Sequence, residues 1–237
     1  MTSMFQPGTR VLGPDPGQEA PLTASEMALR LLKRDLERGV LAPGRKLKMR
    51  ELTDRYGIGA SPMREALALL VSGGFVQLES NKGFRVAPVS RSHLIDVTQT
   101  RQIVEGEALK AAITHGTKAW EEEIFTSFQL LKREIELRDS HSHDWLDQYE
   151  ERHHRFHRAL IAACPLASLK QFCEDLYTQL TRYRRMLKEM GFSEQVGSRE
   201  HEEIMSLVLA RDVERAVLML RSHIGTTAAA ILEDDRF

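Results

Sequence analysis

Four histidines stand where their side chains can converge. His153 and His157 are four residues apart in a stretch from about Asp144 to Ala163, whose apolar positions Tyr149, Phe156 and Leu160 recur at helical spacing. Residues i and i+4 of a helix leave one face, so both imidazoles project with that stripe. His201 precedes Ile204, Met205 and Val208 on the apolar side of a second periodic stretch, and His223 shares a stripe with Ala216, Met219, Leu220 and Ile224 in a third. Between these two, Arg211-Asp212 interrupts the pattern, with Asp212 as the predicted N-cap, which implies a helical hairpin. His201 lies 10 residues before Arg211 and His223 lies 12 after it. At about 1.5 Å per residue the two rings meet at the same depth to within roughly one turn.

A buried neutral imidazole needs both ring nitrogens satisfied, and several unpaired ones are costly. Coordination of a divalent transition metal such as Zn²⁺ or Ni²⁺ by His153, His157, His201 and His223 resolves that cost. The alternative is a set of ordinary hydrogen-bonded core histidines. His154 is rotated off the stripe among Glu150, Glu151 and Arg158 and is expected in solvent, as are His93, His115, His141 and His143. Arg101 sits in the apolar stripe Leu94, Val97, Val104, Ala108, where an unpaired guanidinium is expensive. It either receives a carboxylate ligand through a bidentate fork or pairs internally with Glu105.

From Ser90 onward the chain shows helical periodicity and no convincing strand. Breaks at Thr114-His-Gly116, Ser140-His-Ser-His143, Pro165, Gly191 to Gly197 and Ala210-Arg-Asp212 predict about six helices in an antiparallel bundle. The first 22 residues carry four prolines and no periodicity and are expected to form a flexible tail. The predicted organisation is a tail at 1–23, a small domain at 24–90 and a helical domain at 91–237.

Between 24 and 90 the pattern is helix from Ser25 to Gly39 with Met27 and Leu31 on its stripe, turn at Leu41-Ala-Pro-Gly44, and helix from Met49 to Tyr56. A third helix is expected to open at Ser61-Pro62, with Ser61 as N-cap, and to run to Ser72. Phe75–Glu79 alternates like a strand, Ser80–Gly83 turns, and Phe84–Val86 returns. That order is a winged helix-turn-helix, so the predicted fold is mainly α with a small wing. A helix fits the major groove and its first turns reach base edges. Arg64 falls in those turns, Arg50 opens the preceding helix, and Lys82 and Gly83 sit at the wing tip, where backbone approaches the phosphates closely. Charge agrees: residues 24–90 hold 12 Lys+Arg against 7 Asp+Glu, whereas 91–237 hold 20 against 25. Only the first part is expected to touch a polyanion, double-stranded DNA.

The stretch LAPGRKLKMRELTDRYGIGASPMREALALLVSGGFVQLESNKGFRV resembles the DNA-binding domain of the GntR family of transcriptional regulators. The resemblance rests on the Pro-Gly turn at 43–44, Arg50-Glu51-Leu52, Pro62-x-Arg64-Glu65-Ala66-Leu67, Gly73-Gly74 and Gly83. It implies that Arg50, Arg64 and Gly83 contact DNA. Family members usually carry Ser/Thr-Arg before the Thr/Ser-Pro pair; here Gly59-Ala60 stands there, so one base-reading arginine is missing. Residues 91–237 resemble the ligand-sensing FCD domain of the FadR subfamily, which often binds a metal through one Asp and three His. His157, His201 and His223 match the histidines, and His153 occupies the Asp position. In the subfamily an arginine matching Arg101 often serves the effector.

The reading is a homodimeric regulator on a two-fold DNA site, switched by a small organic acid bound at the metal. Two alternatives are a metal-dependent enzyme with an appended DNA-binding domain, and a constitutive DNA binder with a structural metal. Two cysteines, Cys164 and Cys173, in helix-like sequence fit reduced thiols and a cytoplasmic location. No apolar run approaches the ~20 residues that span a bilayer, no signal peptide is expected, and no membrane partner is either.

Overall fold

The computed structural model describes residues 21–80, 82–137, 143–188 and 194–233. Residues 1–20 of the tail expected at 1–23, Asn81 of the expected Ser80–Gly83 turn, His141 and the stretch 189–193 lie outside them. Helix α1 (Ala24–Glu37) opens on a capping box in which Thr23 Oγ1 accepts from Glu26 N and the Glu26 carboxylate accepts from Thr23 N. Its buried face is Ala28, Leu32 and Leu36, not the Met27–Leu31 stripe expected from spacing alone. Met27 and Leu31 instead line a cleft of ≈ 670 Å³ toward the helical part of the chain. The helix carries apolar residues on two faces because it packs against two neighbours.

A strand of two residues, β1 (Lys46–Leu47), leads into α2 (Met49–Tyr56), which stops at Gly57 in the left-handed conformation. Helix α3 (Ala60–Ser72) starts earlier than expected. Gly59 is its N-cap and the first helical bond runs from Met63 N to Gly59 O, so Ser61 lies inside the first turn and caps nothing. Pro62 is still accommodated, because the first-turn amides have no intrahelical acceptor to lose. Strands β2 (Val76–Glu79) and β3 (Gly83–Val86) form the wing, and β1 adds to β3, giving an antiparallel sheet in the order β1-β3-β2. The added strand was not visible in the sequence, since two residues carry no alternation. Leu32, Met63, Leu67, Phe75 and Val86 share one core here.

Helix α4 (Arg91–His115) begins with Ser90 as N-cap, and α5 (Lys118–Glu136), α6 (His143–Ile161), α7 (Ala167–Lys188), α8 (Glu194–Leu209) and α9 (Val213–Leu232) complete the bundle. Asp212 caps α9 as expected, accepting from Arg215 N. Helix α8 starts at Glu194, inside the stretch expected as a loop. The main core of the bundle joins Leu109, Phe128, Phe156, Val208 and Leu220. A second cluster, Leu94, Val97, Leu180, Tyr183 and Ile231, fills the space between α4, α7 and α9.

Candidate metal centre and DNA-reading surface

Helix α6 presents His153 and His157 from consecutive turns, α8 presents His201 and α9 presents His223, and all four are buried. One ring nitrogen from each lies within 4.8 Å of those from the other three. The hairpin of α8 and α9 brings the rings of His201 and His223 to 4.3 Å between centroids, as the matched arm lengths require. His153 and His157 are 4.5 Å apart, and His153 Nε2 lies 3.1 Å from His201 Nε2. The four residues singled out from spacing are thus gathered at one point.

The arrangement fits a divalent metal. Burial holds His153 and His157 well below the ordinary histidine pKa, so both are neutral near pH 7, the form that ligates. Among the described residues neither ring nitrogen of His157 has a hydrogen-bond partner, although both are buried. Each such orphan costs about 1–3 kcal/mol, which a coordinate bond would recover. A Zn–N bond of about 2.0–2.1 Å puts ligand nitrogens roughly 3.3 Å apart in a tetrahedron, so nitrogens within 4.8 Å need only a small contraction. His153, His157, His201 and His223 would hold the ion, which would supply a Lewis-acidic anchor for an anionic oxygen.

Outer partners orient two of the rings. His223 Nδ1 is 2.7 Å from Glu200 Oε2, and His153 Nδ1 is 2.6 Å from the Tyr177 hydroxyl on α7. In each case Nε2 is left to face the centre, the arrangement of a carboxylate–histidine–metal triad for the first and its phenol counterpart for the second. Sequence reasoning missed both. Glu200 carried one signal, its place beside His201; Tyr177 carried none, since nothing in its spacing relates it to α6.

Arg101 is buried and forms the internal pair: Nε donates to Glu105 Oε1 at 2.5 Å and Nη2 to Oε2 at 3.0 Å. A second buried pair, Arg184 Nη2 with Glu150 Oε2 at 2.7 Å, was not foreseen, because its partners come from α7 and α6. Both guanidinium groups lie over the Tyr177 ring, at 5.0 Å and 4.7 Å from its centroid. His154, expected in solvent, stacks on Tyr177 at 4.4 Å and bonds Glu174 at 2.8 Å. A crevice of ≈ 10 Å³ lined by Glu105, His154, His157, Cys173, Glu174 and Tyr177 touches one of the four histidines, His157, from this side.

At the other end, Arg64 is exposed in the first turns of α3, and Ser61 beside it is exposed. Arg50 opens α2 with its side chain 94% exposed, only loosely held by Asp54 at 3.9 Å. Lys82 and Gly83 are exposed at the wing tip, where Gly83 adopts φ +85°, a conformation glycine takes without strain. Lys46 on β1 is exposed too and was not among the expected contacts. No helix among the described residues is long and apolar enough to cross a membrane.

The model of bacterial regulatory proteins of the gntR family matches residues 24–86, and that of the FCD domain matches residues 96–226. The protein described as HTH-type transcriptional repressor GlaR of Escherichia coli (strain K12) is 36% identical over 83% of this chain and 90% of its own. The uncharacterized HTH-type transcriptional regulator BphR of Paraburkholderia xenovorans (strain LB400) is 33% identical over 87% of this chain and 84% of its own. Among solved structures, E. coli McbR/YncC superposes with a TM-score of 0.77 at 20% identity, over 90% of this chain and 99% of that one. The helices and wing of the first part and the helical bundle of the second fall within the two matched ranges, and with the relatives above 30% identity they show that the chain belongs to the GntR family of DNA-binding transcriptional regulators and carries an FCD domain.

Proposed function

We propose that this regulator binds a two-fold operator as a homodimer in the cytoplasm, and that a small carboxylate effector controls it through a divalent metal held by His153, His157, His201 and His223. The observation that carries the metal is His157, buried inside the four-histidine cluster with neither nitrogen partnered among the described residues. Four imidazoles without an acidic ligand leave a Zn²⁺ or Ni²⁺ site with its full double charge, which favours an anionic guest. Arg101 supports a carboxylate as that guest. Glu105 already occupies its fork, and an incoming carboxylate would exchange for Glu105.

Thermal unfolding of metal-analysed protein tests both parts. Zn²⁺ or Ni²⁺ is expected to raise the Tm of chelator-treated protein, and one class of small organic acids to raise it further. An acid at 100 times its Kd adds about 2.7 kcal/mol, which for a chain of this size is roughly 5–10 °C. The narrow crevice and the closed Arg101–Glu105 pair favour a second reading, a structural metal in a constitutive DNA binder. Under that reading metal raises the Tm and no acid adds to it.

On the DNA side, Arg50, Ser61, Arg64, Lys82 and Gly83 form the proposed reading surface. With Gly59-Ala60 in place of a base-reading arginine, Arg64 carries more of the recognition. Arg64→Ala is expected to cost about 1–3 kcal/mol and to relax discrimination at one base pair per half-site. Lys82→Ala should weaken all sequences alike and reduce the salt slope by about one. Selection of duplexes from a random pool at two salt concentrations separates the two; equal loss on every sequence for Arg64→Ala would reassign it to the phosphates.

A further inference from the structure

Helix α7 stands between the histidine cluster and the reading head, and it grips both. Its Tyr177 hydroxyl lies 2.6 Å from His153 Nδ1. Two residues on, Gln179 Nε2 donates to the carbonyl of Gly73 at 3.0 Å, and Gly73 is the C-cap of α3, the helix that carries Arg64. One turn further, Arg182 Nη2 donates to the carbonyl of Ala87 at 2.7 Å, immediately after the wing strand β3. Helical residues turn by about 100° each, so Gln179 and Arg182 lie about 200° and 140° round from Tyr177. One side of the helix therefore touches the cluster, and the opposite side holds the two points at which the recognition helix and the wing end.

These points are not loosely placed. Gly74, next to the gripped carbonyl, adopts φ +76°, and a Cβ there would stand 3.2 Å from Gln179 Nε2, so the chain passes α7 at close range. Ala87 N also bonds Phe75 O at 2.9 Å, tying the exit of α3 to the exit of the wing. Tyr183, again on α7, bonds the Ser90 amide at 3.3 Å and His93 Nδ1 at 2.7 Å, which holds the connection into α4. Arg185 bonds Asp147 of α6 at 2.8 Å, and Asp147 also pairs with Arg38 just beyond α1. A shift or rotation of α7 cannot leave the orientation of α3 unchanged while these bonds persist.

We propose that Gln179 and Arg182 are the positioning residues through which the state of the histidine cluster sets the orientation of the recognition helix, with Tyr177 as the residue that senses it. The proposal rests on the reading of the cluster as a metal site. When His153 Nε2 is committed to a cation, its remaining proton is on Nδ1, and the ring donates to the Tyr177 oxygen. When Nε2 instead carries the ring proton and donates it to His201 Nε2 across 3.1 Å, His153 Nδ1 accepts from the Tyr177 hydroxyl. The direction of the bond to α7 thus depends on what the cluster holds, and the packed helix transmits the difference as a rigid element.

The test uses the full chain, Zn²⁺, and duplex DNA that this chain selects from a random pool. In the parent protein Zn²⁺ is expected to change affinity for that duplex by a factor of about 5–150, the usual range of coupling between two sites. In Gln179→Leu and in Arg182→Gln, Zn²⁺ affinity measured by calorimetry should stay within about twofold, while the effect of Zn²⁺ on DNA affinity collapses toward one. Tyr177→Phe should lose most of that effect as well. If a folded Gln179→Leu that binds Zn²⁺ normally keeps the full parental effect, and Arg182→Gln does too, the assignment of α7 is wrong and the metal site stands. If the parent protein binds no Zn²⁺, the metal reading fails first and the proposal with it. If either variant loses its fold, hydrogen exchange in the last turn of α3 in the other variant, with and without Zn²⁺, gives the same answer.

Discussion

Replacing His157 with leucine is expected to stabilise the metal-free protein by about 1–3 kcal/mol while lowering its Zn²⁺ affinity by more than about 100-fold. The two effects have opposite signs because the residue has opposite fortunes in the two states. Without a cation, His157 is a buried ring whose two nitrogens find no partner among the described residues, and each forfeits the hydrogen bonds it made in water. Leucine has comparable size and no polar atom to desolvate. With a cation, one nitrogen becomes a ligand and its loss removes a quarter of the coordination sphere, more than the 10–100-fold that removal of an outer partner costs. Urea unfolding in the presence of a chelator, and again with excess Zn²⁺, reads both signs on one protein. A chelated His157→Leu that is less stable than the parent would show that His157 is an ordinary packed and bonded core residue.

The second large effect is at Glu105. Changing it to glutamine leaves the Arg101 guanidinium, 2% exposed, facing a neutral amide. Removing one partner of a buried ion pair costs about 3–5 kcal/mol, because the other charge stays desolvated and uncompensated. If the fork of Arg101 is also where an effector carboxylate docks, the same change removes its internal competitor. Glu105→Gln should then bind small organic acids more tightly than the parent and regain much of its lost stability when they are added. Arg101→Met with Glu105→Leu should approach parental stability and respond to no acid. Calorimetric unfolding across a panel of acids checks this; an unstable Glu105→Gln that no acid rescues would leave Arg101 as a structural residue alone.

How much of this was legible beforehand follows from what each feature depends on. The recognition helix, the wing and Asp212 as a cap rest on local chemistry: glycine in left-handed turns, a side chain reaching the amide three residues on, alternation along a strand. The misplacements were local too. Ser61 has the right chemistry for a cap, yet Gly59 takes the position because the helix gains another bond by starting there. The Met27–Leu31 stripe pointed the wrong way because α1 is apolar toward two neighbours at once, and spacing does not say which neighbour is its own core.

The four histidines mark the boundary most clearly. Helical period put His153 and His157 on one side of α6, and the length of the α8–α9 hairpin put His201 and His223 at one depth, since these are properties of a single helix and of one hairpin; that the two pairs meet was decided by the packing of the bundle. The choice for Arg101 between an internal glutamate and a guest was left open, and the folded chain shows the glutamate in the fork. Glu200 and Tyr177 on the outer nitrogens, Glu150 against Arg184, and the grip of Gln179 and Arg182 on Gly73 and Ala87 were decided only by tertiary packing. Most of these contacts join residues from 20 to more than 100 positions apart, across helices whose rotation is set by the whole core. Sequence determined which donors this protein brings to its centre; the packing of α7 determined what those donors are connected to.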